Sequence, residues 1–355
     1  MQTDIGISPQ RWTSIDALRG LAVLLMITQH VAYWVCFPSG ANWVVQATGA
    51  LGGLAAPIFV TLSGWGVAFT SQRNAAAGCD RLLIIRGLVI MGYGFLMNLL
   101  TPDWFAPASW YVLHLLGLAL ILAPLLRRVS NPWLLVLIVL GLVATVIVQN
   151  MLETPFRLYN EDMAAPKKPG GVLRFALAEG FFPLLPWIAF FISGLLAGRW
   201  LLAGQTVKIV RFAFVLIAAT AVLAGVYSLG FDFTRHPHWI RFFTFKTTFY
   251  PAMTPITLFL MAVALLLLGG FVHLEKKSAP HAANLLVNLG RTSLTLLIVH
   301  VAVIRESVPV LGLWHRLSPM GTIFTTVAAL LFFTLAAAAW RKIGFKYGAE
   351  WLLRR

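Results

Sequence analysis

The sequence predicts an all-α, polytopic integral membrane protein of about ten transmembrane helices with both termini cytoplasmic. Three observations lead there. Hydrophobic residues make up 59% of the 355 and charged residues only 11%, and the mean hydropathy is +0.83. A soluble domain is roughly half apolar and a quarter charged, so it has nowhere to hide this much oily surface. Apolar runs recur at the ~20 residues needed to cross ~30 Å of hydrocarbon, and Lys and Arg gather on alternate connections between them.

The first run, 15–37, follows a polar start without a basic n-region, and no small-x-small cleavage site comes after it. It is therefore expected to remain as a helix and not to leave as a signal peptide. The second, 43–70, is the least regular, with Pro57 and five glycines. The others fall at 82–100, 108–126, 132–150, 181–202, 210–230, 250–272, 284–304 and 319–340, the start of the 250 run being indistinct. With the N-terminus inside, 18 of the 27 basic residues lie on the cytoplasmic side, against 5 of the 12 acids. The net charge of +15 is thus a topology signal, and no nucleic-acid partner is expected. Two longer outer segments, 151–180 and 231–248, are mixed in charge and suited to capping a cavity. The chain 1–355 shows no internal repeat and is expected to be a single domain. Cys36 and Cys79 fall at opposite ends of the second helix or its approaches, too far apart to pair, and no Cys/His cluster suggests a metal.

In a bilayer the informative residues are ionisable ones at depth, which are costly unless paired or facing a cavity. Three histidines qualify. His30 lies 11 residues past Arg19, about 16 Å deep; His114 is about 20 Å, and His300 about 14 Å, from the same edge. No acid falls at that depth. Asp16, Arg19, Val23, Met26 and His30 are spaced 3, 4, 3 and 4, so they share one helix face, which is expected to point into the bundle. A neutral imidazole suits general-base work or brief acyl carriage. A buried histidine bonded to a neighbouring carbonyl is the plain alternative at each of the three. Ser63, Gly64 and Gly66 form a close-packing site with hydroxyl capacity. Arg73, Arg81 and Arg86 follow, Arg86 deeper than an anchoring arginine needs, and such a cluster suits a polyphosphate.

These residues resemble the transmembrane acyltransferase superfamily, which includes the acyltransferase-3 proteins and the heparan-α-glucosaminide N-acetyltransferase catalytic domain. Arg11-Trp-Thr-Ser-Ile-Asp-Ala-Leu-Arg-Gly, leading on to His30, is similar to the family's opening "R-x-x-S-x-D-x-x-R-G". Ala56 to Gly66, Trp110 to Gly117, Phe182 to Trp187 and Leu289 to His300 are similar to later landmarks, spanning almost the whole chain in order. The resemblance implies a multi-pass enzyme of a bacterial inner membrane that moves an acetyl group from cytoplasmic acetyl-CoA to a glycan or amino-sugar acceptor outside. It implies His30 as the essential histidine and Arg86 as an arginine of the third helix; beside it, the depth of His114 and His300 makes them further catalytic candidates, and the donor site is expected at Arg19, Ser63, Arg81 and Arg86. The acceptor would enter past Asn98, Asp103 and Trp110, with Trp104, Trp110 and Trp239 available to stack on a sugar. One departure matters: Val31 to Gln46 contains no histidine where the lysosomal enzyme carries its acetyl group, so direct transfer with His30 as base is favoured. The main rival is a secondary transporter or lipid flippase, since proton relays also use intramembrane histidine. Against it stand the missing repeats and the missing midplane acid. The small-residue face at Gly49, Gly52 and Gly53 permits a homodimer.

Overall fold

With no water in the hydrocarbon to satisfy backbone amides, each crossing must bond within itself, and helices result. The structure is a computed structural model that describes residues 12–38, 42–73, 76–102, 104–159, 162–163, 169–230, 237–247, 249–277 and 284–353. Among the described residues nine helices are long and apolar enough to cross a membrane. A tenth apolar helix, Val112–Leu126, has 15 residues. The ten expected segments are all helical, and the chain is an all-α polytopic membrane protein.

In chain order these are α1 (Thr13–Val35), α2 (Trp43–Gly52) and α3 (Ala55–Arg73), then α4 (Ala76–Leu100), α5 (Val112–Leu126) and α6 (Asn131–Met151). Next come α7 (Leu184–Leu202), α8 (Thr206–Ser228) and α9 (Thr254–Lys277), then α10 (Leu285–Arg291), α11 (Ser293–Val299) and α12 (Pro319–Trp340). The irregular second run breaks at Gly53–Leu54, two residues ahead of Pro57's own helix. Pro57 itself sits in the first turn of α3, where a missing N–H costs nothing. The penultimate crossing also differs from a single helix: it turns at Thr292 and passes into a π-helical stretch at His300–Arg305. Such widened turns are common at functional sites.

Two pairs of glycines set the closest helix contacts. A Cβ on Gly20 would lie 1.9 Å from the Leu286 carbonyl oxygen, and one on Gly290 would lie 1.7 Å from that of Asp16. Helices α1 and α10 therefore touch backbone to backbone. Gly64 of the Ser-Gly motif and Gly194 do the same between α3 and α7, with Cβ positions 1.9 and 1.8 Å from the carbonyl oxygens of Phe191 and Thr61. Lipid supplies no hydrophobic drive between helices, so close backbone packing of this kind is what binds them. Gly66 opens onto free space, and so does Gly49, while Gly52 and Gly53 meet Gln29 and Phe249 of the same chain.

The start of α1 is held from another helix. Glu275 of α9 accepts from the Thr13 amide at 2.8 Å, the Thr13 hydroxyl at 2.9 Å and the Ser14 amide at 3.2 Å, and it also takes the Ser14 hydroxyl. A carboxylate at a helix N-terminus satisfies orphan donors and complements the dipole. After α6, Arg174 and Glu179 form a buried pair that also engages Thr154 at 2.6 Å and the Leu152 carbonyl. That carboxylate, bonded to its side chain, holds the Arg174 guanidinium above its ordinary pKa. Arg241 is buried beside it, donating to the Thr154 carbonyl and lying 4.3 Å over the Phe156 ring. Together they fasten the described parts of both outer segments to the end of α6. Both cysteines are buried and free.

Candidate active site

A cavity of about 250 Å³ opens between α1, the α2–α3 joint, the penultimate crossing and the connections around Trp104–Tyr111 and Phe181–Phe182. Helix α1 contributes Met26, Gln29, His30 and Tyr33; the α2–α3 joint adds Gly52, Ala55, Ala56 and Phe59; the penultimate crossing adds Leu297 and Val301. One wall is aromatic, built from Trp104, Phe105, Tyr111, Phe181, Phe182 and Tyr250. These rings brace one another: Trp104 stacks on Phe105 at 4.8 Å, and Phe105 on Tyr111 at 4.5 Å.

At its side two imidazoles meet. His30 Nδ1 lies 2.8 Å from His300 Nε2, with ring planes 9° apart. His300 is fully buried, and its Nδ1 lies 2.8 Å from the Leu296 carbonyl oxygen. That oxygen only accepts, so His300 Nδ1 carries the proton and its Nε2 is bare. His30 Nδ1–H must then donate to it, which leaves His30 Nε2 without a proton in the neutral pair. The tautomers follow from the hydrogen-bond partners. Trp34 and Trp104 hold the His30 ring, at 5.4 and 5.6 Å between centroids.

The meeting has a simple origin. Each histidine lies ten residues beyond an interlocking glycine, Gly20 or Gly290, on helices running the same way. Ten residues is about 15 Å on either helix, so the two rings arrive at one level.

His114, expected at a similar depth, is elsewhere. It is completely buried, stacks on Trp110 at 5.2 Å, and its Nδ1 accepts the Tyr111 amide at 3.3 Å, capping its own helix. Its Nε2 faces the backbone of Gly94 and has no hydrogen-bond partner among the described residues. Asn98 is turned inward, donating to the carbonyls of Pro107 and Ser109 at 3.1 and 2.9 Å. It ties down the loop that carries Trp104. Trp110 does not line the cavity, but its carbonyl accepts the amides of Phe181 and Phe182 and so positions both rings. Asp103 lies outside the described residues.

None of the expected donor residues lines this cavity. Arg19 is partly exposed near the N-terminal end of α1, 3.5 Å from Asp16. Ser63 is half-buried on α3, Arg81 exposed and Arg86 half-buried on α4. Helix α4 packs chiefly on α5. An acid supports the penultimate crossing from below. Glu350, from the chain's last helical turn, accepts the Leu294 and Thr295 amides at 2.5 and 3.1 Å and the Thr295 hydroxyl at 2.5 Å. It thereby caps α11 five to six residues before His300. Phe345 completes this fold-back, 4.4 Å below the Arg291 guanidinium.

The profile of the family described as "Heparan-alpha-glucosaminide N-acetyltransferase, catalytic" matches residues 11–237. The chain belongs to that family. As an acetyltransferase-family membrane protein it carries His30, Gln29 and the aromatic wall from Trp104 to Phe182 inside the matched stretch, while Tyr250, His300 and Glu350 lie beyond it. No curated protein matches the chain. Sequence reasoning passed over Gln29, Tyr33, Tyr111 and Tyr250, all on the cavity wall. For Gln29 the signal was its adjacency to His30; the others carry none that separates them from an interfacial aromatic belt.

Proposed function

We propose that this protein transfers an acyl group, acetyl in the simplest case, from cytoplasmic acyl-CoA to a sugar or amino-sugar acceptor held in the outer cavity, with His30 as general base. The observation that carries this reading is the chain Leu296 carbonyl, His300, His30, which ends on an unprotonated Nε2 of the ring that lines the cavity. A base must be neutral, oriented and within reach of the proton it removes. An ordinary imidazole is largely neutral near pH 7, and His30 is oriented by its partner.

In the step itself, the acceptor's oxygen or nitrogen attacks the thioester carbonyl as His30 Nε2 takes its proton. The carbon–sulfur bond breaks, and the departing thiolate receives that proton back from the imidazolium. His300 is a positioning residue: its bare Nε2 accepts from His30 Nδ1–H throughout and stabilises the charge that develops on the ring, much as an orienting partner does in other base pairs. The donor's phosphates are assigned to Arg81 and Arg86, with Arg19 and Ser63 as further donor-binding candidates, because polyphosphate binding favours clustered guanidinium groups. Transfer is direct, since His30 is tied to His300 and the α1–α2 connection supplies no second imidazole.

The test uses the full chain in nanodiscs with acetyl-CoA and a panel of sugar acceptors, following free thiol. Acceptor-dependent thiol release that falls sharply in His30→Ala supports the reading. Release that His30→Ala leaves intact overturns the assignment of the base, and absence of release from the unaltered protein overturns acyl transfer. Arg86→Ala should raise the KM for acetyl-CoA with little change in kcat.

A further inference from the structure

We propose that Gln29 is a further catalytic residue of the transfer: its carboxamide N–H donates to the thioester carbonyl oxygen as that oxygen becomes negative. This rests on the acyl-transfer reading above and adds a group which that reading leaves unnamed. When the acceptor attacks, a bond to the carbonyl carbon forms and an electron pair moves onto the oxygen. The pair returns as the carbon–sulfur bond breaks, and the thiolate takes the proton that His30 had removed. A base serves the proton alone. The oxygen needs a fixed donor, and the side chains of Asn, Gln, Ser and Tyr supply one as readily as backbone amides do.

His30 cannot serve both ends, because its Nδ1–H is spent on His300 and its Nε2 is the bare atom. Tyr111, on the facing wall, spends its hydroxyl on the Gly94 carbonyl at 3.2 Å. Gln29 and His30 are consecutive on α1, and both line the cavity. At about 250 Å³ that cavity is at the small end for a ligand site. A carbonyl whose attacker sits against His30 therefore shares one space with the Gln29 side chain.

The carboxamide also has a seat built for it. A Cβ on Gly52 would lie 2.5 Å from Gln29 Oε1 and closer still to Gln29 Cβ. Gly52 is the last residue of α2 and lines the same cavity, so the carboxamide lies across the end of that helix on the cavity wall. Any other residue at 52 would fill the space that Gln29 occupies. With its oxygen branch against Gly52, the two N–H donors of the other branch are what the substrate meets.

The experiment replaces Gln29 by methionine, similar in length and without a donor, in the full-length protein in nanodiscs, with acetyl-CoA and the best acceptor of the panel above. Gln29→Met is expected to lower kcat by about 10²-fold, the usual loss for one oxyanion donor. Both KM values, the pH midpoint of kcat and the melting temperature should stay where they are. Fluoroacetyl-CoA, whose carbonyl oxygen carries developing charge more easily, should lose about threefold less than acetyl-CoA, or less still. Gly52→Ala crowds the carboxamide without removing it, and should lower kcat about tenfold in the unaltered chain and less than about twofold beside Gln29→Met. A kcat within about threefold of the unaltered protein in Gln29→Met, or a loss carried by KM, overturns this proposal and leaves acyl transfer standing. An equal loss with both acyl donors does the same. Equal losses from Gly52→Ala with and without Gln29 overturn the seat, and Gln29→Met decides by itself should Gly52→Ala not fold. Absence of thiol release from the unaltered protein overturns both readings.

Discussion

His30 and His114 look alike in sequence, each a lone imidazole deep in an apolar helix, yet they are put to opposite uses. His30 is paired with a second ring across a helix interface and lines a cavity; His114 is sealed, stacked on Trp110 with Phe95 edge-on, and caps its own helix at 3.3 Å. What separates them is the neighbour each helix packs against. Helix α1 is locked to α10 by Gly20 and Gly290, which delivers His300 to the same level. Helix α5 meets α4 at Gly87 and Gly117, and above that contact α4 presents Gly94, which offers the ring space and no partner. Depth in a membrane marks a residue as costly, but the facing helix decides whether the cost is met by a partner, a cap or a substrate.

That contrast can be broken by substitution. The largest effect belongs to His30→Ala, which should lower kcat for acyl transfer by about 10²–10⁴, the usual range for removing a general base, with thiol release as the measurement and little change in thermal midpoint. Next comes Gly20→Ala. Its methyl would press on a backbone oxygen, at a cost of roughly 1–3 kcal/mol of overpacking. Because it separates α1 from α10 it should also displace His30 from His300, and a misplacement of ~1 Å can cost about 10²-fold in rate. Thermal melting in detergent and kcat should fall together. His300→Ala leaves His30 in place without its orienting partner, for an expected loss of about tenfold or more in kcat at unchanged donor KM. The smallest effect on activity is that of His114→Phe, which keeps the ring's bulk and removes the cap. It should cost about 1 kcal/mol of stability and leave turnover within about twofold. A large loss of turnover with an unaltered melting curve would return His114 to the reaction.

Much of the architecture was written in the order of residues. Among the described residues nine of the ten apolar runs appear as helices of spanning length and the tenth as the 15-residue α5, apart from the breaks near Gly53 and Thr292. Such breaks escape periodicity because both halves of an interrupted span remain apolar. At the site, the face from Asp16 to His30 was legible because a 3-4 spacing is a property of a single helix. The pairing of His30 with His300 was not, since it links residues 270 apart. Likewise the capping of α11 by Glu350, 55 residues on from Thr295, follows from the fold-back of the chain's end and from no local pattern.

By itself, then, the sequence determined what the bilayer enforces: helical crossings of set length, basic residues on one face, and a few expensive imidazoles worth explaining. These are one-dimensional constraints, because lipid acts on each segment separately. The tertiary structure alone decided which imidazole has a partner, which nitrogen is bare and which aromatic rings enclose the space beside it. Those are matters of helix against helix, set where glycines let two backbones touch, and no single segment carries that information.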